Sequence, residues 1–551
     1  MRLSPSPSPT PRTARVGEGR DDGAPTLGGS HPHPTPLPPA DEGTGANYSR
    51  KQVGVIYSGL ALGMMLSALD QTVVATALPT IVGELGGINH LSWVVTSYLL
   101  TATASTLLYG KLGDLYGRRR IFQLAIGIFL IGSALSGLSQ NMFQLIAFRA
   151  LQGLGAGGTM TSAMAIIGDV VSPRERGRYQ GYNAGIFGLA SIGGPLLGGF
   201  FVDHLGWRWV FYINLPIGIA GLILASVVLR VPSKRKEHVI DYVGAALMVA
   251  AVTSLLLLTA WGGTQYPWTS PIIAGLALSA LVCGGLFVWH ERRAVEPILP
   301  PELFRTSIFR ISTTGTLLLG VIMFDATIFL PIFLQLVTGV SATNSGALLA
   351  PLMLGMVCTS IGGGRFISVT GRYKILPVVG FSLCIVAYLL MSTMTARTGQ
   401  LQVSAYMVLL GLGIGLIPQV LTTSTQNEVP QRHLGAATSG LQFFRSMGAS
   451  LGVALLGAVL NSRLAYWLPR LLPPGAEANG INPADIQGSP GQLATLPPAV
   501  HAAVVETFAR SLHWVFVAAI PVAVLALILV LFLEEKPLRK TAWVSQPAEA
   551  A

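Results

Sequence analysis

Three charged residues interrupt long apolar stretches of the sequence: Asp70, Arg149 and Asp325. An arginine at the centre of a membrane helix costs roughly 2.5 to 3.5 kcal/mol on insertion scales, so its charge needs a compensating partner. Apolar surroundings and a nearby cation act in opposite directions on the proton affinity of a carboxylate, so the two together can poise it for proton exchange. These residue types therefore indicate proton chemistry inside an apolar structure.

The glycine-rich run after Arg149 has a second interpretation, dinucleotide binding. Gly153, Gly155 and Gly158 have the Gly-x-Gly-x-x-Gly spacing that cradles a pyrophosphate between a strand and a helix. No strand pattern precedes them and the run is apolar, so the context excludes this interpretation. Small residues let membrane helices approach closely. We therefore expect these glycines to serve helix packing.

Other chemistries find no support in the sequence. It lacks a Gly-x4-Gly-Lys-Ser/Thr phosphate loop, so we do not expect ATP as an energy source. It also lacks a His, Cys and acid cluster suited to hydrolysis, so we expect neither an enzyme nor a cofactor. Cys283, Cys358 and Cys384 have no metal-binding spacing. We expect no metal site and no disulfide.

The composition indicates a membrane protein. Of the 551 residues, 51% are hydrophobic and only 11% are charged, whereas soluble domains have about 25% charged residues. Runs of roughly 20 apolar residues, the length of a membrane-spanning helix, recur along the chain. We predict fourteen spans, at 53–79, 91–110, 121–139, 143–168, 178–201, 208–229, 241–261, 271–290, 311–337, 344–364, 374–394, 401–425, 436–462 and 511–533.

The net charge of +11 raises the possibility of nucleic-acid binding, which the distribution of charge excludes. With both termini on the cytoplasmic side, that side carries 28 of the 35 Lys and Arg residues and the outer side carries five. This asymmetry follows the positive-inside rule for membrane proteins. The first 49 residues contain ten prolines and no apolar segment, and we expect them to form a disordered cytoplasmic tail.

The sequence repeats itself at an interval of about 255 residues. Asp70 is matched by Asp325, and the loop that begins at Gly110 is matched by the loop that begins at Gly364, where Ser368 replaces Asp114. Spans 1 to 6 and 9 to 14 then form two homologous halves, and spans 7 and 8 form an insert. Such halves suit a transporter that rocks around a site at their interface.

Four motifs in order resemble the major facilitator superfamily, in particular its 14-span drug:proton antiporter branch of the EmrB/QacA type. The resemblance implies an all-α polytopic membrane protein with the major facilitator fold, in which two inserted helices separate two six-helix halves. The motifs are the loop Gly110–Arg120, the span-1 stretch Leu69–Pro79, the run Leu145-x-x-x-Arg149-x-x-Gln152-Gly153 and the span-5 stretch Gly193–Gly199.

We predict the following domain boundaries from the spans and the repeat. They are a tail at 1–49, a first half at 50–230, an insert at 231–300, a second half at 301–535 with an outer loop at 463–510, and a cytoplasmic tail at 536–551.

The resemblance and the depth of the charges together suggest a coupling site. Counted along the helices at about 1.5 Å per residue, Asp70, Arg149 and Asp325 lie at similar depth in the outer half of the membrane. We therefore expect them to share one cavity that binds protons and substrate. The alternative is that each only bonds to a neighbouring helix. For Arg445, in span 13, we expect a structural pair with a group such as Glu428.

The resemblance assigns two further motifs. The loop with Gly110, Asp114, Gly117 and Arg118 is expected to be a conformational switch between the halves, the alternative being a solvated basic turn. The second copy, with serine in place of aspartate, should hold the halves less firmly. In span 5 the resemblance implies an antiporter motif, formed by Gly194, Pro195, Gly198 and Gly199.

These features predict a proton-coupled multidrug efflux antiporter. It would export small lipophilic substrates, cations among them, across the plasma (inner) membrane by alternating access. A dedicated exporter of an endogenous metabolite, antibiotic or lipid fits the same motifs, and a membrane receptor or sensor on a transporter scaffold is a third alternative. The expected partners are the substrate, protons and the lipid bilayer, with no nucleic acid and no ATP.

Overall fold

The computed structural model of the protein describes residues 50–85, 90–228, 241–263, 265–338, 349–473 and 497–539, whose regular structure is helical. A membrane favours this outcome because a helix satisfies its own backbone hydrogen bonds without water. The predicted tail at 1–49, most of the tail at 536–551 and residues 474–496 of the predicted outer loop lie outside the described residues.

The first half and the insert comprise nine helices within the described ranges. α6 is a single turn that leads into α7, and α5 contains Pro195. The helices are α1 (Arg50–Leu85), α2 (Leu91–Tyr116), α3 (Arg118–Gly137), α4 (Met142–Val170), α5 (Pro173–His204), α6 (Trp209–Tyr212), α7 (Asn214–Val228), α8 (Tyr242–Trp261) and α9 (Pro271–Glu291).

Seven further α-helices follow in the described part of the second half. A 3-10 turn, Pro301–Arg305, precedes them, and α10 continues into a π-helical turn at Phe333–Val337. The helices are α10 (Ser307–Ile332), α11 (Ala350–Thr370), α12 (Ile375–Met391), α13 (Gln400–Gly415), α14 (Pro418–Glu428), α15 (Leu434–Leu471) and α16 (Pro498–Leu531). Both α15 and α16 extend into the segment predicted as the outer loop.

The helix count is consistent with the fourteen predicted spans. Among the described residues, eleven stretches are long and apolar enough to cross a membrane. α12 is apolar but shorter, and the long helices α2 and α4 carry more polar residues. These three bring the number to fourteen. The protein is therefore an all-α polytopic membrane protein.

The two halves use the same helix pairs. In the first half α1 packs on α5, and α2 and α3 both pack on α4. In the second half α10 packs on α15, and α11 and α12 both pack on α13. The halves meet where α2 contacts α15 and where α5 contacts α11, two contacts related by the repeat. Each half therefore has its own core.

The glycines after Arg149 lie where α4 presses against its neighbours. A Cβ atom on Gly155 would lie 2.6 Å from the carbonyl oxygen of Ala125 on α3, and one on Gly158 would lie 2.6 Å from the Ala125 side chain. A Cβ atom on Gly153 would collide with the backbone of Tyr98 on α2. A larger residue would push α4 outward, which agrees with the helix-packing interpretation.

Candidate functional site

Asp70 lies at the centre of a polar network inside the first half. Its side chain is completely buried on α1, and its Oδ2 atom is 2.6 Å from Nη1 of Arg149 on α4. The other oxygen, Oδ1, accepts hydrogen bonds from Nε2 of Gln152 at 2.8 Å and from Nδ2 of Asn214 at 2.9 Å. The carboxylate therefore has three donors from two other helices.

Arg149 is held by more than its ion pair. Its Nη1 also donates to Oε1 of Gln152 at 2.7 Å, and its Nε donates to the carbonyl oxygen of Val94 at 3.3 Å. The guanidinium carbon lies 4.1 Å from the centre of the Tyr98 ring, a distance at which a cation is attracted to the aromatic face. The positive charge of Arg149, for which the sequence indicated no definite partner, is thus compensated by Asp70.

Two members of the network carried no role in the sequence prediction. Gln152 follows Arg149 by three residues, so both side chains lie on one face of α4, and this spacing was a usable signal. Asn214 begins α7, and its Nδ2 also donates to Oγ of Ser133 at 3.0 Å. None of the motifs identified in the sequence includes Asn214, so no local signal pointed to a role for it.

The network makes protonation and ion pairing mutually exclusive at one atom. A proton on Oδ2 of Asp70 removes the negative charge of the carboxylate and so ends its ion pair with Nη1 of Arg149, although the oxygen keeps some acceptor capacity. The hydrogen bonds from Gln152 and Asn214 go to Oδ1 and can persist. The site can therefore take up one proton at Asp70, and this breaks the ion pair with Arg149.

Asp325 occupies the repeat-related position on α10 but has different surroundings. It is 1% exposed, and neither of its carboxylate oxygens has a hydrogen-bond partner among the described residues. The nearby hydroxyl of Tyr388 donates to the carbonyl oxygen of Ile322 at 3.2 Å. No described contact joins Asp325 to Asp70 or Arg149. The structure thus pairs two of the three residues and leaves the third within its own half.

The loop at the end of α2 contacts the second half. Asp114 accepts hydrogen bonds from the backbone N–H groups of Gly435 at 3.1 Å and Ala436 at 2.9 Å, both in the first turn of α15. A carboxylate is favourable there because the N-terminus of a helix carries partial positive charge. Arg118 pairs with Asp114 at 2.7 Å and also with Asp169. We refer to this side of the protein as the Asp114 end.

Two glycines permit this contact. Gly117 has φ of 92°, a conformation that glycine adopts without strain, and it separates α2 from α3. A Cβ atom on Gly110 would collide with the side chain of Ser439 on α15. The four switch residues predicted from the sequence therefore lie in or beside one contact between the halves.

The second copy of the loop makes a contact with reversed charge. Arg174, at the start of α5, donates from Nε to the carbonyl oxygen of Ser368 and from Nη2 to that of Val369, both at 2.8 Å. Oγ of Ser368 donates to the carbonyl oxygen of Arg174 at 3.0 Å. The cation thus meets the C-terminal carbonyls of α11, which carry partial negative charge. That this copy holds less firmly stays a prediction.

The span-5 motif brings α5 against α1. A Cβ atom on Gly194 would collide with Thr72, and one on Gly198 would collide with Thr76. Oγ1 of Thr72 donates to the carbonyl oxygen of Ala190 at 2.9 Å. Pro195 lies inside α5, and a Cβ atom on Gly199 would meet no described atom within 4 Å.

The expected pair between Arg445 and Glu428 is not formed. Oε1 of Glu428 instead contacts Nζ of Lys536, at 2.8 Å, because the chain after α16 returns beside the end of α14. This expectation was wrong.

Comparison with known proteins places the chain beside transporters. Residues 60–244 and 239–453 match the family model for the Major Facilitator Superfamily. The chain is 44% identical over 505 residues to an uncharacterized MFS-type transporter of Mycobacterium tuberculosis, covering 92% of this chain and 73% of the relative. It is 38% identical over 507 residues to the multidrug transporter protein MdtP of Bacillus subtilis, covering 88% and 93%.

A solved structure shares the fold at low sequence identity. The proton:xylose symporter XylE superposes with a TM-score of 0.57 and 13% identity, covering 90% of this chain and 99% of that chain. The likeness concerns the arrangement of the helices alone.

Proposed function

Because the chain belongs to the major facilitator superfamily, we propose that it exports lipophilic small molecules in exchange for protons, by alternating access across the cytoplasmic membrane. It is a multi-pass membrane transporter, and its relatives in Bacillus subtilis include one named as a multidrug transporter protein and one named as a multidrug resistance protein. Proton coupling, the class of cargo and the orientation are the proposed parts.

The Asp70 network is the observation that carries the coupling proposal. Asp70 is a completely buried carboxylate, and Arg149 is its ion-pair partner only while Asp70 carries a negative charge. When Asp70 is protonated, Arg149 loses its partner and α1 and α4 are held together by one ion pair fewer. Loading a proton thereby changes the energy of helix packing in the first half, which is what coupling requires.

The contacts at the Asp114 end supply the gate. Asp114 joins α2 to α15, and Arg174 joins α5 to α11, so both seams between the halves are held by charge at the same end. An opening of this end must break both contacts. We propose that this end faces the cytoplasm, in keeping with the excess of Lys and Arg there, and that its closed state presents the cargo site to the outside.

Reconstituted vesicles test the proposal. We expect purified carrier to move ethidium and Nile red, one cationic and one neutral dye, uphill under an imposed pH gradient, and to stop when the gradient collapses. Asp70→Asn should insert normally and lose uphill movement, because asparagine keeps size and hydrogen bonding but does not ionise.

Asp325→Asn is the matched control, since it changes the same residue type at the repeat-related position. Proton release on dye binding, followed from pH 5 to 9, separates the two carboxylates. Equal release from wild type and Asp70→Asn would remove Asp70 from the coupling role and make Asp325 the next candidate.

A further inference from the structure

Asn214 is completely buried at the start of α7, and its amide group uses its donors while its acceptor is left over. Nδ2 donates to Oδ1 of Asp70 at 2.9 Å and to Oγ of Ser133 at 3.0 Å. The amide oxygen of Asn214 has no hydrogen-bond partner among the described residues. Buried polar atoms normally have partners. An orientation that leaves this oxygen unpaired indicates that the position serves to supply donors.

Ser133 on α3 fixes this orientation of the amide. A hydroxyl has one proton, and Ser133 donates it to the carbonyl oxygen of Phe211 at 2.8 Å. Oγ of Ser133 is therefore left to accept, and only the nitrogen of the Asn214 amide can donate to it. Turning the amide over would set its oxygen against Oγ and would cost the hydrogen bond to Phe211. A one-way chain of hydrogen bonds thus runs from Asn214 through Ser133 to a carbonyl group that only accepts.

Gln152 on α4 is oriented in the same sense by Arg149. A guanidinium can only donate, so the amide oxygen of Gln152 faces Nη1 of Arg149, at 2.7 Å. The amide nitrogen is then left for Oδ1 of Asp70, at 2.8 Å. Two separate chains of hydrogen bonds therefore require Oδ1 to accept. The other carboxylate oxygen, Oδ2, has Nη1 of Arg149 as its one hydrogen-bond partner in the part of the chain that the structure describes.

The two oxygens of Asp70 differ in what a proton would do there. A proton on Oδ1 would remove the negative charge but leave Oδ2 with its full capacity to accept from Arg149. A proton on Oδ2 also weakens that hydrogen bond, because it uses one of the lone pairs and the guanidinium offers no acceptor for the new O–H group. Protonation at Oδ2 therefore loosens Arg149 more than protonation at Oδ1 would.

We propose that Asn214 and Ser133 are positioning residues that direct the coupling proton to Oδ2 of Asp70. The proton comes from the aqueous phase, forms an O–H bond with Oδ2 and cancels the charge of the carboxylate, while Oδ1 keeps its two donors. This inference rests on the proposed proton coupling and deepens it, because it names the residues that make the loading of a proton loosen Arg149.

Infrared difference spectroscopy of purified carrier, recorded without cargo as the pH is lowered, tests this assignment directly. The carbonyl stretch of protonated Asp70 is identified as the band that Asp70→Asn lacks. With the proton on Oδ2, the carbonyl oxygen is Oδ1, and its hydrogen bonds from Gln152 and Asn214 lower the frequency of the band. Asn214→Leu keeps a branched side chain of similar shape but removes one of these bonds, so the band should move to higher frequency.

Ser133→Ala is the second variant, because it removes only the group that fixes the Asn214 amide and leaves the hydrogen bonds of Asp70 in place. The amide can then turn over and accept a proton from Oδ1 of Asp70, so we expect a second carbonyl band, from Oδ2. Ser136→Ala is the matched control. Ser136 lies on the same helix and is equally buried, but its hydroxyl donates to the carbonyl oxygen of Gly132 in that helix, at 2.8 Å. This control should leave the spectrum unchanged.

Proton release on binding of ethidium gives the functional counterpart. The donor from Asn214 stabilises the charged form of Asp70, so the midpoint of proton release should lie about one pH unit higher in Asn214→Leu, and Ser136→Ala should match wild type. An unshifted carbonyl band in Asn214→Leu would overturn the inference, as would a single unmoved band in Ser133→Ala if the first variant does not fold. A shifted band without proton release from wild type would keep the proton on Oδ2 and contradict the proposed coupling instead.

Discussion

The ion pair between Asp70 and Arg149 allows us to estimate how much a substitution of Asp70 lowers the free energy of unfolding. Asp70→Asn removes the charge that compensates a buried guanidinium, and removal of one partner of a buried pair costs about 3 to 5 kcal/mol. Asparagine retains an acceptor for Gln152 and Asn214, and hydrogen bonds of this kind are worth about 1 kcal/mol each. We therefore expect a loss near the lower end, about 3 kcal/mol.

A double-mutant cycle separates the pair from general damage. Arg149→Met alone leaves an unpaired buried carboxylate, whereas Asp70→Asn combined with Arg149→Met leaves no charge at this site. The double variant should therefore lose less unfolding free energy than the sum of the two single losses. We expect a coupling energy of about 2 to 3 kcal/mol, measured by equilibrium unfolding in mixed micelles. Losses that add within about 0.5 kcal/mol would refute the conclusion that the pair stabilises the first half.

Three further predictions concern the gate and the topology. Asp114→Asn should weaken the closed state by about 1 to 2 kcal/mol and lower transport, while membrane insertion stays normal. The control is Asp203→Asn, which changes an exposed aspartate. Unchanged transport by Asp114→Asn would favour the interpretation of this loop as a solvated turn. Arg174→Gln should lower transport further when combined with Asp114→Asn, because Arg174 joins the halves at the other contact, between α5 and α11. If the double variant transports as fast as Asp114→Asn alone, the two contacts do not act separately. A residue tag at Gln265 should be labelled from outside and one at Lys536 only after permeabilisation, and the reverse labelling would refute the proposed orientation.

The helical membrane fold was largely predictable because it depends on local properties. Apolar runs of sufficient length form helices in a bilayer whatever surrounds them. The repeat between Asp70 and Asp325 predicted two related halves, and the structure has the same helix pairs in both. The close approach at Gly155 was likewise predictable, because a missing side chain is visible in the sequence.

The partners of the charged residues were less predictable because they come from other helices. The sequence predicted that Asp70, Arg149 and Asp325 lie at one depth, but depth does not specify the direction in which a side chain points. Rotation of each helix about its axis is set by packing, and it directs Arg149 to Asp70 and Asp325 towards Tyr388.

The sequence by itself thus determined that the chain spans a membrane as two related helical halves, and that buried charges would need compensation. Only the tertiary structure decided which charge compensates which. Asn214 on α7 contacts Asp70, Glu428 contacts Lys536, and Arg445 has no ion-pair partner among the residues that the structure describes. The physical reason is that an ion pair requires two specific atoms within a few ångströms, and that distance is fixed by how separate helices pack rather than by the order of residues along the chain.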